Sequence, residues 1–291
     1  MSKASAWLRL ARPKQWPKNL LVLAALIFAV RFRELSDILT GAAAFVSFVL
    51  LSAAVYAFND RLDVEADRKH PLKRKRPVAS GEVGTTEAAV LAGLWAGLGL
   101  GLALWLGPGF LACAIGYLLL SAAYSAWTKH QVILDVLSLS AGFVIRAVAG
   151  ALALHVRISE WLLVCTTLGA LFVGLMKRRA ELAALGGAKP AQRRSLEHYD
   201  LTLLDQMIAV VASATLVAYM MYAVAAHAGT KGPLMLLTVP YVLYGIFRYL
   251  YLSHRKGLGS APELVLFTDR PLQVNLLLWV LTSAAILALP L

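Results

Sequence analysis

The feature that most constrains this chain is a succession of long apolar runs separated by polar, mostly basic connections. They fall at about Leu20–Val30, Ile38–Phe58, Ala88–Leu106, Phe110–Trp127, Val132–Leu154, Trp161–Met176, Met207–Ala226, Pro233–Leu252 and Val274–Leu289. A helix crossing about 30 Å of hydrocarbon needs roughly 20 mostly apolar residues, and most of these runs approach that length once their flanks are included. Nine spans are therefore expected. The first is the shortest, and Pro17 must stand near its start or kink it. An eight-span reading moves the C-terminus to the other side but leaves the two largest loops on a shared side. Composition agrees with a lipid environment: 59% of the 291 residues are hydrophobic and only 15% charged, where a soluble domain has about a quarter charged.

The expected fold class is thus an all-α integral membrane protein, one polytopic domain over residues 1–291. Its motif-bearing loops lie at about 59–87, 127–131 and 177–205. Most of the 28 Lys and Arg residues fall on one side if the N-terminus is cytoplasmic, as the positive-inside rule requires, which puts the C-terminus outside for nine spans. No cleavable signal peptide is expected, since a polar, basic stretch precedes the first run. Cys113 and Cys165 lie inside spans and are expected to pack as small apolar groups. The net charge of +12 sits in membrane-adjacent loops, which points to anionic lipid headgroups or phosphorylated substrates and away from nucleic acid. Gly93, Gly97, Gly99, Gly101 and Gly107 crowd the third span and are expected to allow close helix packing.

The second span runs into Asn59-Asp60-Arg61-Leu62-Asp63-Val64-Glu65-Ala66-Asp67-Arg68. If the helix continues, Asn59, Asp63, Asp67 and Asp60 fall at about 0°, 40°, 80° and 100°, one stripe of oxygen ligands. Like charges at this spacing destabilise a helix unless a cation compensates. An oxygen-only set suits Mg²⁺, which takes one or two carboxylates together with waters and substrate phosphates. The plainer reading is a wetted acidic helix end paired with its neighbouring bases. Downstream, His70-Pro71-Leu72-Lys73-Arg74-Lys75-Arg76-Pro77 forms a basic, proline-bounded connection, and Arg68, Lys73 and Arg76 are candidates for phosphate oxygens.

Three further constellations complete the set. Tyr124 and Lys129 flank the short connection between spans four and five, where each can reach a phosphate or simply anchor the interface. Asp135 and Arg146 stand near or inside apolar segments, about three turns apart, and are expected to face the bundle interior without touching. After span six come Lys177, Arg178, Arg179 and Glu181, then Glu197, His198, Tyr199, Asp200 and Asp205. Glu197 and Asp200 share a face if helical, whereas Asp200 and Asp205 are about 140° apart and form no stripe.

Asn59-Asp60-x-x-Asp63-x-x-x-Asp67 resembles the first aspartate-rich motif of the intramembrane UbiA-type prenyltransferases. The stretch through His70-Pro71, Lys73, Arg76-Pro77 and Gly81 is more narrowly similar to the polyprenyl-phosphate phosphoribosyltransferase branch, of which the decaprenyl-phosphate enzymes are members. So are Arg12-Pro13-Lys14-Gln15-Trp16-Pro17-Lys18-Asn19 and Pro262-Glu263 with Thr268-Asp269-Arg270. The resemblance implies nine helices in a UbiA-type bundle around a cytoplasm-facing cavity in the inner (plasma) membrane. It implies Mg²⁺ on Asn59, Asp60, Asp63 and Asp67, with substrates held by Lys14, Lys18, Arg68, Lys73, Arg76, Tyr124, Lys129, Asp135, Arg146, Lys177, Arg178, Glu197, Asp200 and Asp205. The implied donor is 5-phosphoribosyl diphosphate and the acceptor a polyprenyl phosphate lipid; a homo-oligomer is compatible with it. Relatives using prenyl diphosphate carry a second, tightly spaced aspartate motif where this chain has only Asp200 and Asp205. That departure favours the phosphoribosyl branch over the alternative, prenyl transfer to an aromatic or glycerophosphate acceptor. A transporter would instead predict inverted repeats and paired interrupted helices, and neither pattern is visible.

Overall fold

The computed structural model describes residues 2–70, 73–157, 160–185, 194–225, 231–256, 265 and 268–289. Pro71, Pro262 and Glu263, singled out above, lie outside the described residues. Among the described residues there is no strand.

The chain begins with helix α1 (Lys3–Leu10), a 3-10 segment (Pro13–Leu23) and the short α2 (Ala24–Phe28). Next come α3 (Leu35–Leu62), α4 (Val64–Lys69), α5 (Thr85–Trp105), α6 (Pro108–Ala126), α7 (Leu134–Ala153) and α8 (Glu160–Leu185). The last are α9 (Leu201–Ala225), α10 (Lys231–Met235), α11 (Val239–Lys256) and α12 (Arg270–Ala288). Eight of the described helical segments are long and apolar enough to cross a membrane, with Gly232–Arg255 counted as one. The chain is a multi-pass membrane protein.

The count of nine long spans is not met, and the reason lies in the first apolar run. Pro13 opens the segment and Pro17 lies inside it without a backbone N–H to donate, and residues 13–23 wind as a 3-10 strap. The strap still runs the depth of the bundle. Just before the strap Arg12 bonds Asp60 near the end of α3, and beyond α2, ten residues after the strap ends, Arg33 donates to the Ala288 carbonyl that ends α12.

Short connections make consecutive helices antiparallel neighbours. Between α5 and α6 only Leu106 and Gly107 intervene; Gly107 has φ +113°, a conformation that glycine adopts without a Cβ clash, and Pro108 opens α6. Of the glycines on α5, Gly99 is the one in close packing: its carbonyl accepts from Ser47 at 2.8 Å, and a Cβ there would lie 2.9 Å from Leu51. Gly93, Gly97 and Gly101 face open space, so the expectation that the whole glycine run packs tightly is narrowed to one position. Gly150 on α7 does the same for the strap, since a Cβ there would lie 1.9 Å from the Val22 carbonyl oxygen.

The bundle has two main apolar cores. Phe48, Leu51, Phe110 and Tyr117 close one around the strap residue Val22, and Phe172, Met176, Leu204, Tyr249 and Leu252 close the other. Cys113 and Cys165 are free thiols, each partly buried among apolar neighbours.

Candidate active site

The acidic motif does not stay on one helix. α3 ends at Leu62, Asp63 stands at the break, and α4 starts at Val64, so the four-residue stripe expected from a continuous helix is interrupted. Asp60 and Asp67 turn inward and are nearly sealed, at 2% and 1% exposure. Asp63 is exposed and Asn59 is half-buried.

The two buried carboxylates converge on a single cationic nitrogen. Arg76 Nη1 donates to Asp60 Oδ1 at 3.1 Å and to Asp67 Oδ2 at 2.7 Å. Arg12 Nη2 reaches the same Asp60 oxygen at 2.5 Å, and its guanidinium lies 4.8 Å from the Tyr56 ring centroid. Two buried carboxylates so close together need this compensation. Arg12 was not among the expected site residues although its motif was; no spacing argument links it to a carboxylate 48 residues away. What brings it there is its left-handed backbone, φ 51°, at the start of the strap.

α1 holds this arrangement from outside. Arg9 pairs with Glu82, Trp7 Nε1 donates to Glu87 at 2.7 Å, and Ala6 and Leu10 pack against Val78, Val83 and Ala88. The Arg9 hydrogen bond holds the Glu82 carboxyl below the usual carboxylate range.

A second polar network lies where α6, α7 and α8 meet the loop before α9. Arg178 Nε donates to Asp135 Oδ2 at 2.6 Å, Nη1 to Glu181 at 2.6 Å and Nη2 to the Tyr124 hydroxyl at 3.2 Å. Ser195 and Tyr199 also donate to Asp135, at 3.4 and 3.2 Å, while the Tyr199 oxygen accepts from the Ile133 amide at 2.7 Å. Burial pushes the Tyr199 phenol up to about 12. Ser195 further donates to the Lys129 carbonyl at 3.1 Å, which ties two loops together. Tyr199 and Ser195 had no sequence signal beyond lying in the same polar loop.

Arg146 belongs to neither network. It is 6% exposed, deep along α7, and donates to Asn19 Oδ1 at 2.8 Å, the Gly142 carbonyl at 2.8 Å and the Tyr117 hydroxyl at 3.1 Å. The Tyr117 ring stacks on it at 4.6 Å. All these partners are neutral, and they fasten the strap to α6 and α7.

The remaining candidates divide. Arg68 is exposed, pairs with Glu65 at 2.8 Å and donates its Nε to the Ala79 carbonyl at 3.4 Å. Lys14 is exposed, Lys18 bonds Gln15, and Lys73, Lys129 and Lys177 are half-buried. Glu197 is exposed. Asp200 caps α9 by accepting the Leu203 amide at 2.7 Å, and Asp205 pairs with Arg179 at 2.5 and 3.1 Å and with His254 at 3.4 Å. Among its described residues the second acidic loop thus gathers no carboxylate pair.

Among the described residues no three His, Cys, Asp or Glu side chains form a metal cage. The donor set at Asp60 and Asp67 nevertheless fits Mg²⁺: two carboxylates already converge on one positive charge, the available donors are oxygens, and this ion leaves positions for water and phosphate.

The signature of the UbiA prenyltransferase family matches residues 20–270. A decaprenyl-phosphate phosphoribosyltransferase of Mycolicibacterium smegmatis is 36% identical over 97% of this chain and 92% of its own length. One of Corynebacterium glutamicum is also 36% identical, over 95% and 85%. The same fold occurs in a UbiA homolog from Archaeoglobus fulgidus bound to GPP and Mg²⁺, with TM-score 0.74 and 18% identity, covering 98% of this chain and 100% of that one. On the matched signature and on these relatives, the chain belongs to the UbiA prenyltransferase family.

Proposed function

We propose that this protein transfers the 5-phosphoribosyl group from 5-phosphoribosyl diphosphate to a polyprenyl monophosphate such as decaprenyl phosphate, releasing diphosphate. The observation that carries the reading is the inequality of the two acidic motifs. Asp60 and Asp67 converge, whereas Asp200 caps a helix and Asp205 is held by Arg179. One convergent acidic site suits one soluble diphosphate donor, and near-full-length identity to relatives named for this reaction supports it.

In this reading Asn59, Asp60, Asp63 and Asp67 would hold Mg²⁺. The ion would offset the negative charge that gathers on the departing diphosphate. Arg12 and Arg76 balance the two buried acids before the donor arrives, and their guanidinium forks suit bidentate grip on phosphate oxygens afterwards. Lys14 and Lys18 on the strap and Lys73 after α4 would supply further positive charge, with Lys129 before α7 and Lys177 on α8.

A phosphate oxygen of the lipid forms the new bond to the ribose anomeric carbon as the bond from that carbon to the diphosphate oxygen breaks. The lipid phosphate is already anionic, so no side chain has to remove a proton from it. The network of Tyr124, Asp135 and Arg178 would fix the loops that border the acceptor, and Glu197 and Asp200 would accept from ribose hydroxyls. The active site faces the cytoplasm of a plasma membrane, with α1 on the cytoplasmic side and the end of α12 outside, as the basic loops favour.

The test offers purified protein Mg²⁺, polyprenyl phosphate and radiolabelled 5-phosphoribosyl diphosphate, with prenyl diphosphate and aromatic acids in a parallel reaction. A lipid-linked ribose 5-phosphate is expected. Prenylation of the aromatic acid without the ribosylated lipid would overturn the reading.

A further inference from the structure

Residues 268–270, which resemble the phosphoribosyl branch, play no part in the chemistry above, yet they open onto a groove. It lies between α11 and α12, has a volume of about 480 Å³, and is lined by Tyr244, Arg270, Pro271, Val274, Asn275 and Leu278. It faces outward from the bundle, since Tyr244, Val274 and Leu278 are 43%, 54% and 44% exposed. Arg270, Pro271, Val274 and Leu278 follow one face of α12, so the groove runs about 12 Å from Arg270 into the hydrocarbon layer.

Charge in the groove is confined to its mouth. Arg270 is exposed, and none of the ion pairs among the described residues involves it. The adjacent Asp269 is already committed, accepting from Arg248 at 3.1 and 2.8 Å and from the Leu272 amide at 2.9 Å. Asn275, farther down, donates its Nδ2 to the Tyr241 carbonyl at 2.9 Å. Below Arg270 the groove carries no charge and its walls are mostly apolar, with the Tyr244 hydroxyl and the Asn275 amide as its polar groups, so it suits a hydrocarbon chain.

We infer that this groove binds one anionic phospholipid of the leaflet that borders the acidic site, with its phosphate on Arg270 and an acyl chain along Val274, Leu278 and Tyr244. A cationic mouth above an apolar shaft matches the head-and-tail asymmetry of a lipid. A soluble phosphate would use the mouth alone. A net negative headgroup is favoured over a zwitterionic one because a zwitterion carries its own cation beside the phosphate. The inference does not depend on the reaction proposed above.

The full chain in micelles, offered equal amounts of phosphatidylglycerol and phosphatidylcholine with identical acyl chains, tests it by native mass spectrometry. Retention of phosphatidylglycerol is expected to exceed that of phosphatidylcholine by about five-fold, the factor that one basic residue commands at an anionic lipid surface. Arg270→Gln should erase that preference, and Leu278→Trp, which fills the shaft with a residue tolerated in lipid, should lower retention of both lipids. An unchanged preference in Arg270→Gln, or unchanged retention in Leu278→Trp, overturns the proposal. Mole-for-mole displacement of phosphatidylglycerol by polyprenyl phosphate overturns it too, and assigns the groove to that lipid.

Discussion

Arg178 Nε lies 2.6 Å from Asp135 Oδ2, and neither side chain keeps any exposure to solvent. Removing one member of a buried pair leaves the other as an uncompensated charge, which costs more than the pair contributes. Arg178→Met, which leaves Asp135 without a cationic partner among the described residues, is expected to destabilise the protein by about 3–5 kcal/mol. Asp135→Leu combined with Arg178→Met should recover most of that loss, because both buried charges go together. Thermal unfolding of the purified variants in detergent measures this, and a double variant as unstable as the single one would count against the pair as the cause.

Asp67→Asn keeps the shape of the side chain and its acceptor oxygen toward Arg76 but removes a charge from the proposed ion site. Turnover should fall by about 10²–10³-fold, the scale typical of losing one charge-stabilising group at a reacting centre. The Mg²⁺ concentration needed for half-maximal rate should rise in parallel. Asp63→Asn, at the exposed helix break, should also reduce turnover strongly. Near-normal rates in both would show that the acidic motif does not hold the ion.

Gly150→Ala places a methyl carbon 1.9 Å from the Val22 carbonyl oxygen, so the strap must move away from α7. Overpacking of this kind costs about 1–3 kcal/mol. The strap also carries Arg12 to Asp60, so the variant should bind 5-phosphoribosyl diphosphate more weakly than wild type at equal folded fraction. Equilibrium binding of the labelled donor beside a melting curve separates the two effects.

Glu82 offers a pH dependence with a definite sign. Its carboxyl is held below the usual range by Arg9, so the stabilisation is present above the unfolded carboxylate pKa and is lost as pH falls through the depressed value. Docking of α1 should therefore be intact at neutral pH and loosen only below about pH 4. Proteolysis within residues 3–12, followed across pH with an acid-active protease, reports it. Glu82→Gln should show the looser pattern already at neutral pH.

Span positions, the acidic motif and its basic follow-on were legible because hydropathy and spacing are local properties. The form of the first run was harder: Leu20–Val30 reads as a short apolar helix with Pro17 at its start, whereas the 3-10 strap begins at Pro13 and takes in Leu20–Leu23. The same limit applies at Asp63, where the stripe assumed helix continuity and the chain breaks. Arg12 on Asp60, Ser195 and Tyr199 on Asp135, and Asn19 beneath Arg146 join residues far apart in sequence. Only tertiary structure creates these meetings, so periodicity could not reveal them. Asp200 and Asp205 could be seen not to share a face; the Asp200 cap on Leu203 is local, but Arg179, the partner of Asp205, emerges from the fold alone.

The surroundings of Arg146 bear on how the protein is made. An arginine at mid-helix costs about 2.5–3.5 kcal/mol when a lone segment leaves the translocon for lipid. The groups that receive its guanidinium, Asn19, Tyr117 and Gly142, together with the Phe48 ring 5.9 Å away, all precede it in the chain. By the time α7 leaves the ribosome, the strap, α3 and α6 have already been synthesised and can form a polar lining beside the translocon. Order of synthesis and order of burial then coincide, and α7 need never meet bare hydrocarbon with its charge unattended.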